Sequence, residues 1–283
     1  MTTRSQDAVS PTIAVLGNGG WGTALSLVAL RNGARTRLWG IEPAYVAETA
    51  RSRENARYLP GVRLPDALHL TSDAREACEG ADLLVCVVPT QFLRPTFEAI
   101  AGCLPARVPL LSCAKGIEKG TLLRPSEIAA EMTGARPLAV LSGPNHAEEV
   151  AQGRPATAVV ACADEAIRVR IQQLFSDPRF RLYGSDDVLG VELAAAVKNV
   201  IALAAGMVDG LDLGDNAKAA LITRGAVEVA RLGRTLGARP ETFSGLAGIG
   251  DLIATCVSRH GRNRRVGERL GRGESLEEIL ASM

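Results

Sequence analysis

Through the first two thirds of the chain, short apolar runs alternate with stretches of helical spacing. The runs "TIAVLG", "RTRLWG", a weaker one near "ALHL", "DLLVCVV", "VPLLSCA", "PLAVLSG", "ATAVVAC" and "FRLYGS" read as strands. Several are apolar at every position rather than at every second one, as expected of parallel strands covered on both faces. After "YGSDD" the strand pattern stops. Helices are predicted from Val188 to about Asp209 and from Asn216 to about Leu236, with Asp215 as N-cap of the second and Gly237 as its stop. The pattern predicts an α/β domain over 1–186, built on a parallel sheet, followed by an all-α domain over 187–283.

Composition narrows the class without changing this picture. The chain has 283 residues, 47% of them hydrophobic and 22% charged, an ordinary globular balance with room for both domains. A net charge of +1 gives no electrostatic case for nucleic acid or an anionic membrane, and 4% aromatics leave little for stacking on single strands. Neither partner is expected. Cys78, Cys86, Cys103, Cys113, Cys162 and Cys256 show no CxxC spacing and fall mostly in apolar runs, so they read as reduced core thiols of a cytoplasmic protein. The chain's three histidines lack metal-ligand spacing, and no metal is expected. "MTTRSQDAVSP" has no apolar core of a secretory signal. "VELAAAVKNVIALAAGMV" is the most membrane-like segment, yet it contains Glu192, Lys198 and Asn199 and reads as a buried helix.

Between the first strand and the first helix lies "GNGGWGTAL". Its Gly17-x-Gly19-x-x-Gly22 spacing, inside a βαβ unit closed by "RTRLWG", is the dinucleotide fingerprint of a Rossmann-type domain. The first glycine permits the tight turn, the second lets backbone approach a pyrophosphate, and the third lets helix pack on strand.

Several polar groups stand out against apolar surroundings. Lys198 is flanked at helical spacing by Ala194, Ala195, Ile201 and Ala202, where burial would lower its pKa toward the range of a general acid or base. A snorkelling lysine at the core edge is the plainer reading of that pattern taken alone. Asn199 adds a second polar group beside it. In "GLAGIGDLIATCVSRHGRNRRVG", Asp251 lies among small apolar residues and needs a partner, and Thr255 follows one helical turn later. After a His260-Gly261 hinge, Arg262 and Asn263 are suited to hold a phosphate, whereas Arg264 and Arg265 read as a solvated basic loop. Lys115 in "CAKGIEKG", and Gly143, Asn145 and Ala147 in "SGPNHAEEV", follow predicted strands at the carboxyl edge where such sheets bind ligands. Lys119 reads as a surface residue and His146 as structural.

Taken in order, "GNGGWGTALSLVAL", "PTQFLR", "SCAKGIE", "LSGPNHAEEVA", "AAAVKNVIALAAGM", "NAKAALITRGAVE" and "GIGDLIATC…GRN" resemble the NAD(P)-dependent glycerol-3-phosphate dehydrogenases across nearly the whole chain. The resemblance implies hydride transfer between a nicotinamide cofactor and sn-glycerol 3-phosphate, giving dihydroxyacetone phosphate, in the supply of glycerol 3-phosphate for phospholipid synthesis. It implies that Lys198 exchanges the proton of the C2 oxygen, with Lys115 and Asp251 as further catalytic residues. Lys115, Gly143, Asp251 and Thr255 would line the substrate pocket, and Arg262 and Asn263 would hold the substrate phosphate. Gly17, Gly19, Gly20, Trp21, Gly22, Ile41, Lys115, Ala147 and Arg262 would contact the cofactor, with Trp21 as an apolar wall beside it. A homodimer is implied as well.

Three features depart from the usual bacterial pattern. Gly261 stands where Ser is usual before Arg-Asn, and Ile41 stands where a basic residue often follows the second strand. The chain also stops ahead of a Glu-Gly segment that contacts the cofactor late in the family, so the helical domain is expected to be short at its C-terminus. Ile41 and the anionic Glu42 predict NAD as the preferred cofactor with some use of NADP, Arg51 and Arg53 being the cations able to reach back toward a 2′-phosphate. A related two-domain hydroxy-acid dehydrogenase and a non-catalytic NAD-binding sensor are the alternatives.

Overall fold

In β1 (Thr12–Leu16), Ile13 and Val15 point to one face and Ala14 and Leu16 to the other, and all are fully buried. The same division runs through β4 (Leu83–Cys86), where Val85 joins the first core and Leu84 and Cys86 the second. Two cores on one sheet are what an unbroken apolar strand requires. The computed structural model describes residues 10–258 and 261–282; His260, half of the expected hinge, lies outside them.

The sheet is completed by β2 (Arg35–Trp39), β3 (His69–Thr71), β5 (Leu110–Ser112), β6 (Leu138–Ser142), β7 (Ala156–Ala161) and β8 (Phe180–Ser185), in the order β3-β2-β1-β4-β5-β6-β7-β8. Six predicted strands therefore run parallel in the doubly wound order, with the crevice between β1 and β4 as the switch point. One seam departs from the parallel arrangement. β7 pairs antiparallel with β6, and β8 parallel with β7, so both start at the edge where β1 to β6 end. Apolar content reports coverage of both faces and says nothing about strand direction.

Helices α1 (Gly20–Arg31), α6 (Ala147–Ala151) and α7 (Glu165–Phe175) contribute to the core that contains Ile13 and Val15. On the opposite face lie α3 (Ala74–Cys78), α4 (Thr90–Ile100) and α5 (Pro125–Thr133), while α2 (Pro43–Ser52) follows β2. Of the cysteines, Cys103 is half-buried and the others are buried, and all carry free thiols.

After Ser185 the described residues are helical: α8 (Val188–Gly210), α9 (Gly214–Thr235), α10 (Pro240–Ser244), α11 (Asp251–Val257), α12 (Arg262–Gly271) and α13 (Leu276–Ala281). Asp187 caps α8 by accepting from Gly190 N at 2.9 Å, and its other oxygen accepts from Thr242 Oγ1 at 2.6 Å. α8 is long and apolar enough to cross a bilayer by length and composition alone, with a mean hydropathy of 1.8. Here Val191 packs on Val140 and Ala161 of the sheet, and Ile201, Ala202 and Ala205 pack on Leu252 and Cys256 of α11. α9 begins at Gly214 rather than after Asp215, so Asp215 is a first-turn residue near the positive helix end instead of its cap. Gly237, at φ +93°, stops it as predicted.

Where Arg264 and Arg265 were expected in a solvated loop, both lie in α12. Arg264 Nε pairs with Asp209 Oδ2 at 3.0 Å, and Asp209 also pairs with Lys218 at 2.8 Å. A partly buried guanidinium needs such an anion beside it to offset the cost of leaving water, and Asp209 is remote in sequence.

Candidate active site

Three polypeptide segments converge at the carboxyl edge of the sheet. Lys115 lies just past β5, Ser142 ends β6, and Asp251 opens α11 from the helical half of the chain. Asp251 follows a π-helical turn, Leu246–Gly250, of the kind often found at functional sites, in one continuous helical run to Val257. Its carboxylate is buried and fully engaged. Oδ1 accepts from Lys198 Nζ at 2.5 Å, and Oδ2 accepts from Lys115 Nζ at 2.8 Å and from Ser142 Oγ at 3.3 Å. Lys198 Nζ also donates to Thr255 Oγ1 at 2.8 Å, and Lys115 Nζ to Gly143 O at 3.3 Å.

The charges decide what this cluster can do. Burial, then the neighbouring Lys115 ammonium, pull Lys198 down from 10.5 to about 7, against the opposing pull of Asp251. Burial pushes the Asp251 carboxyl up, but Lys115 and Lys198 together outweigh it and hold it below its ordinary value. Asp251 therefore stays anionic while Lys198 is poised to gain or lose a proton near neutrality, the condition for acid–base work. Gly143, at φ +150°, has Ala158 Cα only 2.9 Å from where a Cβ would stand, so no side chain fits where its carbonyl meets Lys115.

A second carboxylate fixes the helix that presents Lys198. Glu192 of α8 is buried, accepts from Ser126 N at 2.8 Å and from Ser126 Oγ at 2.6 Å, and pairs with Arg124 at 2.7 Å. It clamps α8 to the start of α5, six residues ahead of Lys198.

The glycine turn lies at the end of β1. Gly17 has φ +114°, and a Cβ at Gly22 would stand 1.9 Å from Gly17 O, so turn and helix meet as the fingerprint requires. Gly19 faces open space within 4 Å, whereas Gly20 is pressed against Tyr58 O, with Ala147 Cβ 3.6 Å from where its Cβ would lie. Ala147 is thus beside the turn. Trp21 stands edge-on to Phe180 at 6.2 Å between ring centroids, a wall at the same edge of the sheet. Asn18 Nδ2, Thr90 Oγ1 and Ser112 Oγ are buried without a hydrogen-bond partner at the carboxyl ends of β1, β4 and β5. Open space before a helix N-terminus, with orphaned polar atoms buried at the neighbouring strand ends, fits a pyrophosphate and its riboses.

The remaining candidates lie around this centre. Ile41 is exposed just past Gly40, which is pressed against the Asn18 amide. Arg262 is exposed and Asn263 half-buried at the start of α12, where Gly261 sits against Thr255 O. Among the described residues, no hydrogen bond joins Arg262 or Asn263 to the Lys198 cluster. His146 is the N-cap residue of α6, Lys119 is exposed, and Asn199 is half-buried. Among the described residues there is no cluster of metal-ligating side chains.

Ser142 and Arg57 escaped the sequence reading, and Glu192 entered it only as a charge within an apolar helix, without a role. Ser142, a polar residue closing an apolar strand, could have been found by the rule that singled out Lys115 and Gly143. Arg53, expected to reach toward the ribose, donates instead to the carbonyls of Leu64 at 3.4 Å, Leu68 at 3.1 Å and Pro65. Arg51 is exposed in the last turn of α2, and the cation that faces Glu42 is Arg57.

The profile described as the N-terminus of NAD-dependent glycerol-3-phosphate dehydrogenase matches residues 12–168, and the corresponding C-terminal profile matches residues 187–283. The chain is 51% identical over 269 residues to glycerol-3-phosphate dehydrogenase (NAD(P)+) of Corynebacterium glutamicum, covering 94% of this chain and 81% of that protein. The protein of the same name from Geobacillus kaustophilus is 50% identical over 274 residues, covering 96% and 80%. Among solved structures, glycerol-3-phosphate dehydrogenase from Coxiella burnetii superposes with a TM-score of 0.93 at 40% identity, covering 96% of this chain and 84% of that one.

Proposed function

The chain belongs to the NAD-dependent glycerol-3-phosphate dehydrogenase family, and we propose that its Lys198–Asp251–Lys115 cluster carries the reaction of that family. It is an oxidoreductase that interconverts sn-glycerol 3-phosphate and dihydroxyacetone phosphate with NAD or NADP. The relatives support this reading over a hydroxy-acid dehydrogenase or a cofactor-binding sensor.

The nicotinamide, when bound, delivers or takes up the hydride at the substrate C2. In the reducing direction Lys198, protonated, gives its proton to the C2 oxygen as negative charge gathers there. In the oxidising direction the neutral amine removes the hydroxyl proton. Asp251 stays ionised throughout and holds both ammonium groups toward one point, while Thr255 fixes the direction of Nζ. Lys115 supplies a second positive charge for the developing oxyanion and keeps Lys198 from being too basic. Gly143 and Ser142 complete the pocket floor. At the start of α12, Arg262 and Asn263 take the substrate phosphate through a forked guanidinium and an amide. Gly17, Gly19, Gly20 and Gly22 admit the pyrophosphate at the start of α1, with Trp21, Ile41, Lys115 and Ala147 around the rest of the cofactor.

This assignment divides the chain at residue 187, between a cofactor half and a substrate half; the two profile matches on either side support it. We infer a cytoplasmic homodimer supplying glycerol 3-phosphate to phospholipid synthesis. Val227 and Leu232 on α9 and Leu236 just past its end, all exposed apolar residues, support a subunit contact there. The carrying observation is a buried lysine, brought near neutrality by burial and a neighbouring ammonium and held in place by one carboxylate, at the end of a dinucleotide-type sheet. Absorbance of NADH or NADPH consumed with dihydroxyacetone phosphate tests it. No consumption by the folded protein with either cofactor sinks the reading.

A further inference from the structure

The segment between α2 and β3 is wired to the glycine turn. Asn55 is fully buried; its Nδ2 donates to Asn18 O at 2.8 Å and to Thr23 Oγ1 at 2.7 Å, and its Oδ1 accepts from Tyr45 OH at 2.6 Å. Tyr45 OH in turn accepts from the Arg57 backbone N–H at 2.9 Å, and the next carbonyl, Tyr58 O, lies against Gly20. Arg57 is thereby held at the mouth of the cofactor cleft. Its guanidinium lies 4.1 Å over the Tyr45 ring and 5.6 Å from the Tyr58 ring, with Nη1 on both oxygens of Glu42 at 2.8 and 3.0 Å. Glu42 lies just past the end of β2, about 20 residues after the third glycine, where a doubly wound sheet meets the ribose 2′-position.

Two other arginines of this region are occupied. Arg53 is spent on backbone carbonyls, and Arg37 donates to Glu76 O at 2.9 Å. Arg57 and Glu42 are both half-exposed, so an anion arriving from solvent meets the guanidinium without a buried charge being uncovered. The Tyr45 ring under the guanidinium, itself braced edge-on by Tyr58, holds it in place, which reduces the entropy lost on binding a phosphate.

We propose that Arg57 and Glu42 form a two-way cofactor selector: Glu42 accepts the free 2′-hydroxyl of NAD, and Arg57 takes the 2′-phosphate of NADP. Glu42 occupies Arg57 until the phosphate displaces it, so the pair admits both cofactors and favours neither absolutely. This rests on the dinucleotide reading of the glycine turn.

Calorimetric titration with ADP and with adenosine 2′,5′-bisphosphate tests the selector without turnover, and NADH and NADPH fluorescence titrations extend it. Arg57→Gln is expected to weaken adenosine 2′,5′-bisphosphate and NADPH by about tenfold or more, the scale of a charged hydrogen bond, while ADP and NADH change less than about threefold. Glu42→Gln is expected to tighten the 2′-phosphorylated pair and weaken NADH. Arg57→Lys restores part of the lost affinity. Equal effects of Arg57→Gln on both pairs, or none on either, overturn the selector. Failure of the unaltered, folded protein to bind any of the four overturns the dinucleotide reading itself.

Discussion

Lys198 Nζ lies 2.5 Å from Asp251 Oδ1, while the other oxygen of the same carboxylate is held by Lys115 at 2.8 Å. One anion between two cations cannot satisfy both, and the more deeply buried cation gives up its proton first. Lys198, pulled down to about 7, is that cation.

The direction of the pH dependence follows. Reduction of dihydroxyacetone phosphate needs protonated Lys198, so its kcat/KM falls as pH rises through about 7; oxidation needs the neutral amine and gains over the same window. Lys115→Met removes the cation that depresses Lys198 and leaves Asp251 to Lys198 alone. Both changes raise the Lys198 pKa, so the midpoint moves up, whatever happens to the maximal rate. Rate profiles in both directions check this, and a midpoint that stays put or moves down refutes the coupling.

Lys198→Met keeps much of the volume and removes the proton. Turnover is expected to drop by about 100-fold or more, the low end of what a positioned acid–base group supplies. NADH affinity, set at the glycine turn, should stay near the unaltered value. Near-normal turnover would remove Lys198 from the reaction.

Arg262→Ala separates substrate from cofactor. If its guanidinium holds the substrate phosphate, affinity for dihydroxyacetone phosphate weakens by about 1.5–3 kcal/mol. Unphosphorylated dihydroxyacetone, which lacks the recognised group, should be indifferent to the change. Equal losses on the two substrates would assign Arg262 elsewhere.

Much of this architecture is legible in the chain because local signals and burial agree. β4 and, after Thr12, β1 are apolar at every position and are covered on both faces, and Gly237 ends α9 where a positive φ is needed. Lys198, Asp251 and Thr255 stood out as polar groups in apolar surroundings, and the fold joins them directly. What stayed hidden depends on partners distant in sequence. The reversal of β7 is a matter of pairing, not composition. Arg264 acquires its role from Asp209, and Arg57 acquires its place through Asn55 and Tyr45. Spacing along one segment contains no information about such contacts.

The spacing between the acid–base group and the phosphate clamp depends on α8 and α12 touching backbone to backbone. A Cβ at Gly267 would stand 1.9 Å from Leu203 O, one at Gly206 2.0 Å from Arg264 O, and one at Gly271 2.6 Å from Met207 O. No side chain can yield there, because the obstacles are carbonyls. Gly267→Ala therefore must push α12 from α8, with an overpacking cost of about 2–3 kcal/mol. At about 2–4 °C per kcal/mol, Tm falls on the order of 5–10 °C. Gly102→Ala is the control, since nothing lies within 4 Å of its added methyl and its φ is not positive. Because α12 starts with Arg262 and α8 carries Lys198, the displaced helix should also raise KM for dihydroxyacetone phosphate more than KM for NADH. Calorimetric melting and paired KM measurements check both parts. A Gly267→Ala protein that melts with the Gly102→Ala control and keeps its substrate KM would mean that this contact does not set the site.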